Sequence, residues 1–155
     1  MSNKNHTYNV QVTWTGNTGE GTRRPNGYSK NHEVRASGKH VIEASSDPAF
    51  AGDPNRYNPE ELLVAALSQC HMLWFLSRCA KHGVVVTAYE DDATGTMSED
   101  RTGGGEFTSV TLHPRITLAS EADPELLGRL HEESHQLCFI ARSVNFPVVV
   151  AARYH

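Results

Sequence analysis

The chain has 155 residues, with 14 Lys+Arg against 18 Asp+Glu and a formal charge of −4 when histidines are neutral. That length supports one domain with its own core. The mild acidity leaves no electrostatic footprint for DNA or RNA, the closest basic pair being Arg23-Arg24. No run of about 18 apolar residues is present to cross a membrane, and the opening MSNKNHTYNV lacks the apolar centre of a signal peptide. Three cysteines (Cys70, Cys79 and Cys138) are too few, and odd in number, for a disulfide framework. They fit a cytoplasmic chain with reduced thiols, where a cysteine matters through reactivity or metal binding.

Tyr8–Thr15 alternates Val10, Val12 and Trp14 on one face, which predicts a strand. Gly16–Gly21 reads as a loop, with short strands following at His32–Ala36 and Lys39–Ile42. Ser45–Tyr57 carries two Asp-Pro pairs and Gly52 and reads as a long irregular connection. A helix is then predicted from Asn58, its N-cap, with Pro59 first and Glu61 closing a capping box, to about His82, where Gly83 stops it. Its apolar residues spread over all faces, which predicts a centrally buried helix.

Val84–Met97 reads as one strand and Gly103–Gly105 as a turn. Val110, Leu112, Ile116 and Leu118 alternate inward against Thr111, His113 and Thr117. A second helix opens at Asp123-Pro124-Glu125 and places Leu127, Leu130, Ser134, Leu137 and Ala141 on one side. Asn145-Phe146-Pro147 ends that segment, and Val148–Tyr154 makes a last strand. This order predicts a single α+β domain over residues 1–155, with antiparallel sheet wrapped over a buried helix pair.

Taken alone, Cys70 in mid-helix reads as a small core residue, because the helix dipole does not reach that depth. A reactive thiolate there requires a cation from elsewhere. Cys138 lies 68 residues downstream in another element, so the two form a candidate redox pair that spacing alone does not bring together. Cys79, about 13 Å further along the same helix, reads as structural. A rival lies in His131-Glu132-Glu133-Ser134-His135, which matches the H-E-x-x-H of zinc hydrolases, with Cys138 one turn on as a third donor. Its alternative is a solvated helix face. The glycine triplet lacks the ending of a phosphate loop.

The run Asn58-Pro59-Glu60-Glu61, an alanine-rich apolar helix and Cys70 ten residues after Glu60 resembles the OsmC/Ohr family, the osmotically inducible and organic hydroperoxide resistance proteins. The element order agrees from about Thr13 to Val150. The resemblance implies antiparallel sheets wrapped around two central helices in an intertwined homodimer, with sites at the subunit interface. It further implies a thiol peroxidase in which Cys70 attacks an organic hydroperoxide and Cys138 resolves the sulfenic acid as a disulfide. A dithiol, of lipoyl type in some relatives, then restores both thiols, and no metal, flavin or haem takes part. In the family Glu60 orients an arginine that stabilises the thiolate. Ten helical residues rise about 15 Å, so Glu60 cannot touch Cys70 of its own helix, and the partner chain completes the site. The arginine implied is Arg56, with Arg23 or Arg24 behind it, since Ala49-Phe50 stand where one branch carries it. His71 and Phe139, each directly after a cysteine, replace the bulky apolar residue and the proline of better-known branches. Trp74, Phe75, Phe139 and Phe146 are candidates to line an apolar pocket. The alternatives to the peroxidase are the zinc hydrolase and a non-catalytic relative that binds a hydrophobic ligand or senses oxidants.

Overall fold

The computed structural model of the protein describes residues 4–155, and the chain divides between Leu62 and Leu63 into two units. The first unit holds an antiparallel sheet of β1 (Gln11–Trp14), β2 (His32–Arg35) and β3 (Ile42–Ala44), in that order. Val10, Val12 and Trp14 alternate as expected but are 69%, 63% and 43% exposed, so the described residues of the first unit leave the apolar face they make open. Gly16 allows the backbone after β1 to approach Ser29 closely, since a Cβ there would lie 1.8 Å from the Ser29 carbonyl oxygen.

The connection from Ser45 to Tyr57 is irregular but tied down. Asp47 accepts from the Ala49 N–H to cap a 3-10 turn at Pro48–Phe50. Ser45 Oγ accepts from the Asp53 N–H, and the Ser45 N–H donates to the Tyr57 carbonyl. Helix α1 (Pro59–Lys81) follows. Its start is a reciprocal capping box: Asn58 Oδ1 accepts from the Glu61 N–H at 2.8 Å, and Glu61 accepts from the Asn58 N–H at 3.2 Å. Its end is a Schellman turn, with Gly83 at φ 72° and the Val84 N–H donating to the Cys79 carbonyl.

Burial of α1 departs from expectation. Only Leu67, His71, Phe75 and Cys79, an i, i+4 stripe, are fully buried, while Leu73 is 60% exposed. Most of its other apolar residues, Leu62, Val64, Met72 and Leu76 among them, are half-buried. The length and mean hydropathy of α1 match a membrane-crossing helix. Leu67, Phe75 and Cys79 nonetheless pack in the cores of the fold.

In the second unit the segment expected as one strand breaks at Asp92-Ala93 into β4 (Val86–Asp91) and β5 (Thr94–Glu99), which join different sheets. Strands β6 (Gly105–Leu112) and β7 (Pro114–Leu118) also part company. Pro114 has no N–H for a continuous ladder, and the His113 N–H donates instead to the Asp91 carboxylate at 2.6 Å. Helix α2 (Pro124–Leu137) is capped by Asp123, as predicted. The final strand splits into β8 (Val148–Val150) and β9 (Arg153–Tyr154). The sheets are β4-β7-β9 and β5-β6-β8. Both β8 and β9 pair in parallel, so the wholly antiparallel expectation is corrected. They return through the α2 crossover, which delivers a strand in the direction of its neighbour.

Each sheet closes one core. Phe75, Cys79, Val84, Ile116, Leu127 and Leu130 form the first, bringing α1, α2 and the β4-β7-β9 sheet together. Leu67, Val110 and Leu112 form the second with Phe107, Phe146 and Val148 around them. Removing the cap with Asn58→Ala should cost about 1 kcal/mol, which lowers Tm by about 2–4 °C for a chain of this size in thermal denaturation. Phe75→Ala empties the centre of the first core and should cost about 3–5 kcal/mol, measured by denaturant titration.

Candidate functional site

Cys70 sits midway along α1 and is partly exposed, whereas Cys138 is buried. Sequence periodicity carries α2 past Cys138, but the helix stops at Leu137 because Cys138 is its C-cap, with extended backbone at φ −67°, ψ 109°. Cys138 Sγ accepts from the Ala141 N–H at 3.3 Å, and Cys70 is its neighbouring titratable group. Burial, first, and the nearby Cys70 side chain push the Cys138 thiol up to about 11, against the pull of the Ala141 and Ile140 amides. Thus two thiols 68 positions apart in sequence are neighbours in the fold, one reachable and one shielded. Cys79 stays in the core, its thiol pushed up to about 11 by burial.

Of the four aromatic residues expected near the thiols, two belong there. Trp74, one turn after Cys70, meets Phe139 edge to face at 5.9 Å between centroids. Phe75 lies in the first core, and Phe146 packs on Phe107 in the second. Arg78, overlooked in the sequence, stands 5.7 Å from the Trp74 ring and 3.9 Å from Glu133. Its Nε is buried with no hydrogen-bond partner among the described residues. The i, i+4, i+8 spacing of Cys70, Trp74 and Arg78 is the signal that places it on this side of α1.

The remaining site candidates belong to the first unit. Arg56 is 23% exposed and pairs with Glu43 at 3.2 Å and Asp53 at 3.6 Å. Arg24 pairs with Glu20 on the surface, and Arg23 is exposed. Glu60 is partly buried on the first turn of α1 and makes no ion pair among the described residues. The carboxylate engaged at that turn is Glu61, in the cap.

The H-E-x-x-H segment forms a different contact. His131 Nδ1 and His71 Nε2 share a hydrogen bond of 2.9 Å, with ring planes 4° apart. His131 also stacks on Phe75 at 4.0 Å. Burial, and the nearness of His135, lower His71 to about 4 against the pull of Asp91. Burial and His71 lower His131 to about 3. His131 therefore commits one ring nitrogen to another histidine, Glu132 accepts from Gln136, and no three His, Cys, Asp or Glu side chains converge among the described residues. This donor set does not fit catalytic zinc, which needs three protein ligands and an open position. A cavity of about 1030 Å³ lies between α2 and the ends of β7, β8 and β9, lined by Leu127, His131, His135, Val149 and Tyr154, with neither Cys70 nor Cys138 in its lining.

With this geometry in view, the comparisons are specific. The family profile described as OsmC-like protein matches residues 52–153. An OsmC-like protein of unknown function from Vibrio cholerae is 34% identical over 96% of this chain and 99% of its own, with a TM-score of 0.85. An organic hydroperoxide resistance protein from Elizabethkingia anophelis shares the fold at 18% identity and TM-score 0.71, covering 99% of this chain and 98% of its own. Its counterpart from Bacillus subtilis does so at 17% and 0.63, covering 97% and 98%. No curated protein matches the chain. The profile match over most of the chain and the Vibrio likeness establish that this protein belongs to the OsmC-like family.

Proposed function

We propose that the protein is a thiol peroxidase that reduces organic hydroperoxides. The observation that carries the reading is the meeting of a partly exposed Cys70 with a buried Cys138 on a separate element. In this mechanism the Cys70 thiolate attacks the outer oxygen of the hydroperoxide. The O–O bond breaks, the alkoxide leaves as alcohol after taking a proton, and Cys70 becomes a sulfenic acid. The Cys138 sulfur then attacks the Cys70 sulfur, and hydroxide leaves as water with the proton that the Cys138 thiol gives up. The product is the Cys70–Cys138 disulfide, and the hydroperoxide has taken up two electrons.

A dithiol returns those electrons by attacking the more accessible sulfur, Cys70. Cys138 is then the leaving thiolate, received by the amide N–H of Ala141. Thiol chemistry of this kind belongs in a reducing compartment such as the cytoplasm. The hydroperoxide resistance proteins of similar fold favour an organic peroxide as oxidant. Trp74 and Phe139, adjoining at the thiols, suit an apolar organic group.

The proposal includes a homodimer. The exposed apolar face of Val10, Val12 and Trp14, and the exposed Leu73 of α1, are surfaces suited to a second copy. Arg56 and Glu60, contributed by a second copy in that dimer, are proposed to complete the site, the guanidinium favouring the Cys70 thiolate. The cavity beside α2 favours a second reading, a ligand-binding relative without turnover.

Peroxide consumption with a dithiol reductant tests the first reading. Cys70→Ser should abolish turnover, whereas Cys138→Ser should be oxidised once and form no internal disulfide. Equal, absent turnover in the wild type and both variants, with an apolar ligand still bound by Cys70→Ser, would favour the second reading. Arg56→Ala should slow oxidation of Cys70 by about 10²-fold or more, as loss of a charge-stabilising group does. Unchanged oxidation in Arg56→Ala, with a loss in Arg23→Ala, would transfer the role to Arg23.

A further inference from the structure

His71 and His131 are an expensive choice for the place where α1 crosses α2. His71 is buried and His131 half-buried there, both kept neutral, and His131 Nε2 is shielded with no hydrogen-bond partner among the described residues. An apolar pair would fill the space without that cost. What the imidazoles add is direction. The N···N contact of 2.9 Å and the near-parallel rings, with His131 seated flat on Phe75, fix the rotation of each helix about its axis as well as their separation. Apolar side chains tolerate sliding that a hydrogen bond does not.

That restraint lies where the thiols need it. His71 follows Cys70 on the same rigid helix, so fixing the azimuth of one ring fixes the direction of the Cys70 side chain. His131 and Cys138 are seven positions apart, about two helical turns, so the C-terminal half of α2 and its cap place both on nearly the same side. Cys138 is the C-cap and takes its position from that turn. A disulfide forms only within a narrow range of Cα separations and Cβ directions.

We propose that the His71–His131 pair is a positioning clamp that holds Cys138 against Cys70 for disulfide closure. The clamp rests on the reading of the two thiols as a redox pair, and it does not depend on the oxidant being a peroxide. Its surroundings keep it neutral. Phe75 packs beside it from α1, Tyr154 of β9 faces His131, and Tyr89 of β4 packs on Phe75. His135 on α2 opposes charge on His71, and Asp91 on β4 is the acidic group in reach. Arg78 and Glu133 pair with each other nearby across the same two helices. Both rings have values well below the ordinary 6.5, so the neutral, hydrogen-bonded form persists through neutral pH.

The test uses an aromatic disulfide, 5,5′-dithiobis(2-nitrobenzoate), on the full chain. The Cys70 thiolate displaces one coloured thiolate and becomes a mixed disulfide. Cys138 loses its proton to solvent, attacks the Cys70 sulfur and releases a second coloured thiolate, whose appearance times closure. His71→Leu should slow closure by about tenfold or more, as misplacement of reacting groups does. First-step labelling, timed in a Cys138→Ser background, should change less than about twofold, since no restraint on approach is lost there. His71→Gln, whose amide nitrogen sits where Nε2 sits, should close near the wild-type rate. Closure in the Leu variant as fast as in the wild type, or in the Gln variant as slow as in the Leu variant, overturns the clamp.

A measurement on the wild type guards against a misfolded variant. The histidine ring nitrogens, followed by 15N NMR, should show one hydrogen-bonded pair that stays neutral down to pH about 4 and shifts when the disulfide closes. Either ring titrating near 6.5, or signals identical in the reduced and oxidised protein, also overturns it. Loss of hydroperoxide turnover with this behaviour intact would count against the peroxidase reading alone.

Discussion

The second unit is organised by the contact of one helical stripe, Leu67, His71, Phe75 and Cys79, with whatever α1 crosses. Leu67 belongs to the core of one sheet, Phe75 and Cys79 to the core of the other, and His71 meets α2 between them. Cys70 stands one residue, about 100°, off that stripe. Such a residue lies at the margin of the buried face, where solvent reaches it and the end of α2 still touches it. A thiol one position later would be sealed in the core, as Cys79 is, and a thiol on the far side would lack a partner.

The two cysteines differ through their backbones as much as through their burial. Cys70 is held in regular helix, with its amide and carbonyl committed to the helix ladder. Cys138 is where α2 gives way to extended backbone, and the next turn folds the Ala141 amide back onto its sulfur. Burial disfavours a charge on Cys138 while these amides favour it. A sulfur in that setting is a poor nucleophile until it loses its proton, and the Ala141 and Ile140 amides offset only part of the cost of its charge.

Local chemistry made much of this legible in the sequence. Asn58, Pro59, Glu61 and Gly83 bounded α1 almost to the residue, since caps depend on near neighbours. Asp123 did the same for the start of α2. Non-local events were not visible. The breaks at Asp92-Ala93, His113-Pro114 and Ala151-Ala152 occur because strands change sheet, which alternation of side chains does not encode. The His71–His131 bond joins positions 60 residues apart, and the H-E-x-x-H pattern drew notice to His131 and His135 as a pair on one helix. In the fold His131 instead turns to a residue on another helix. Of the site residues, Cys70 and Cys138 are neighbours in the second unit, whereas Arg56 is engaged with Glu43 and Asp53 in the first.

The 67 residues between the two cysteines carry a consequence for durability. A bond between Cys70 and Cys138 would enclose all of β4 to β7 and all of α2 in one covalent loop. Closing a loop of that length restricts the denatured chain and adds about 4 kcal/mol of resistance to unfolding in the chain-entropy treatment. The oxidised form, idle until a reductant arrives, would then be the hardier one against heat and proteases. Each catalytic cycle would tighten and release a staple across the second unit, so the lifetime of the molecule would follow the redox state of its surroundings.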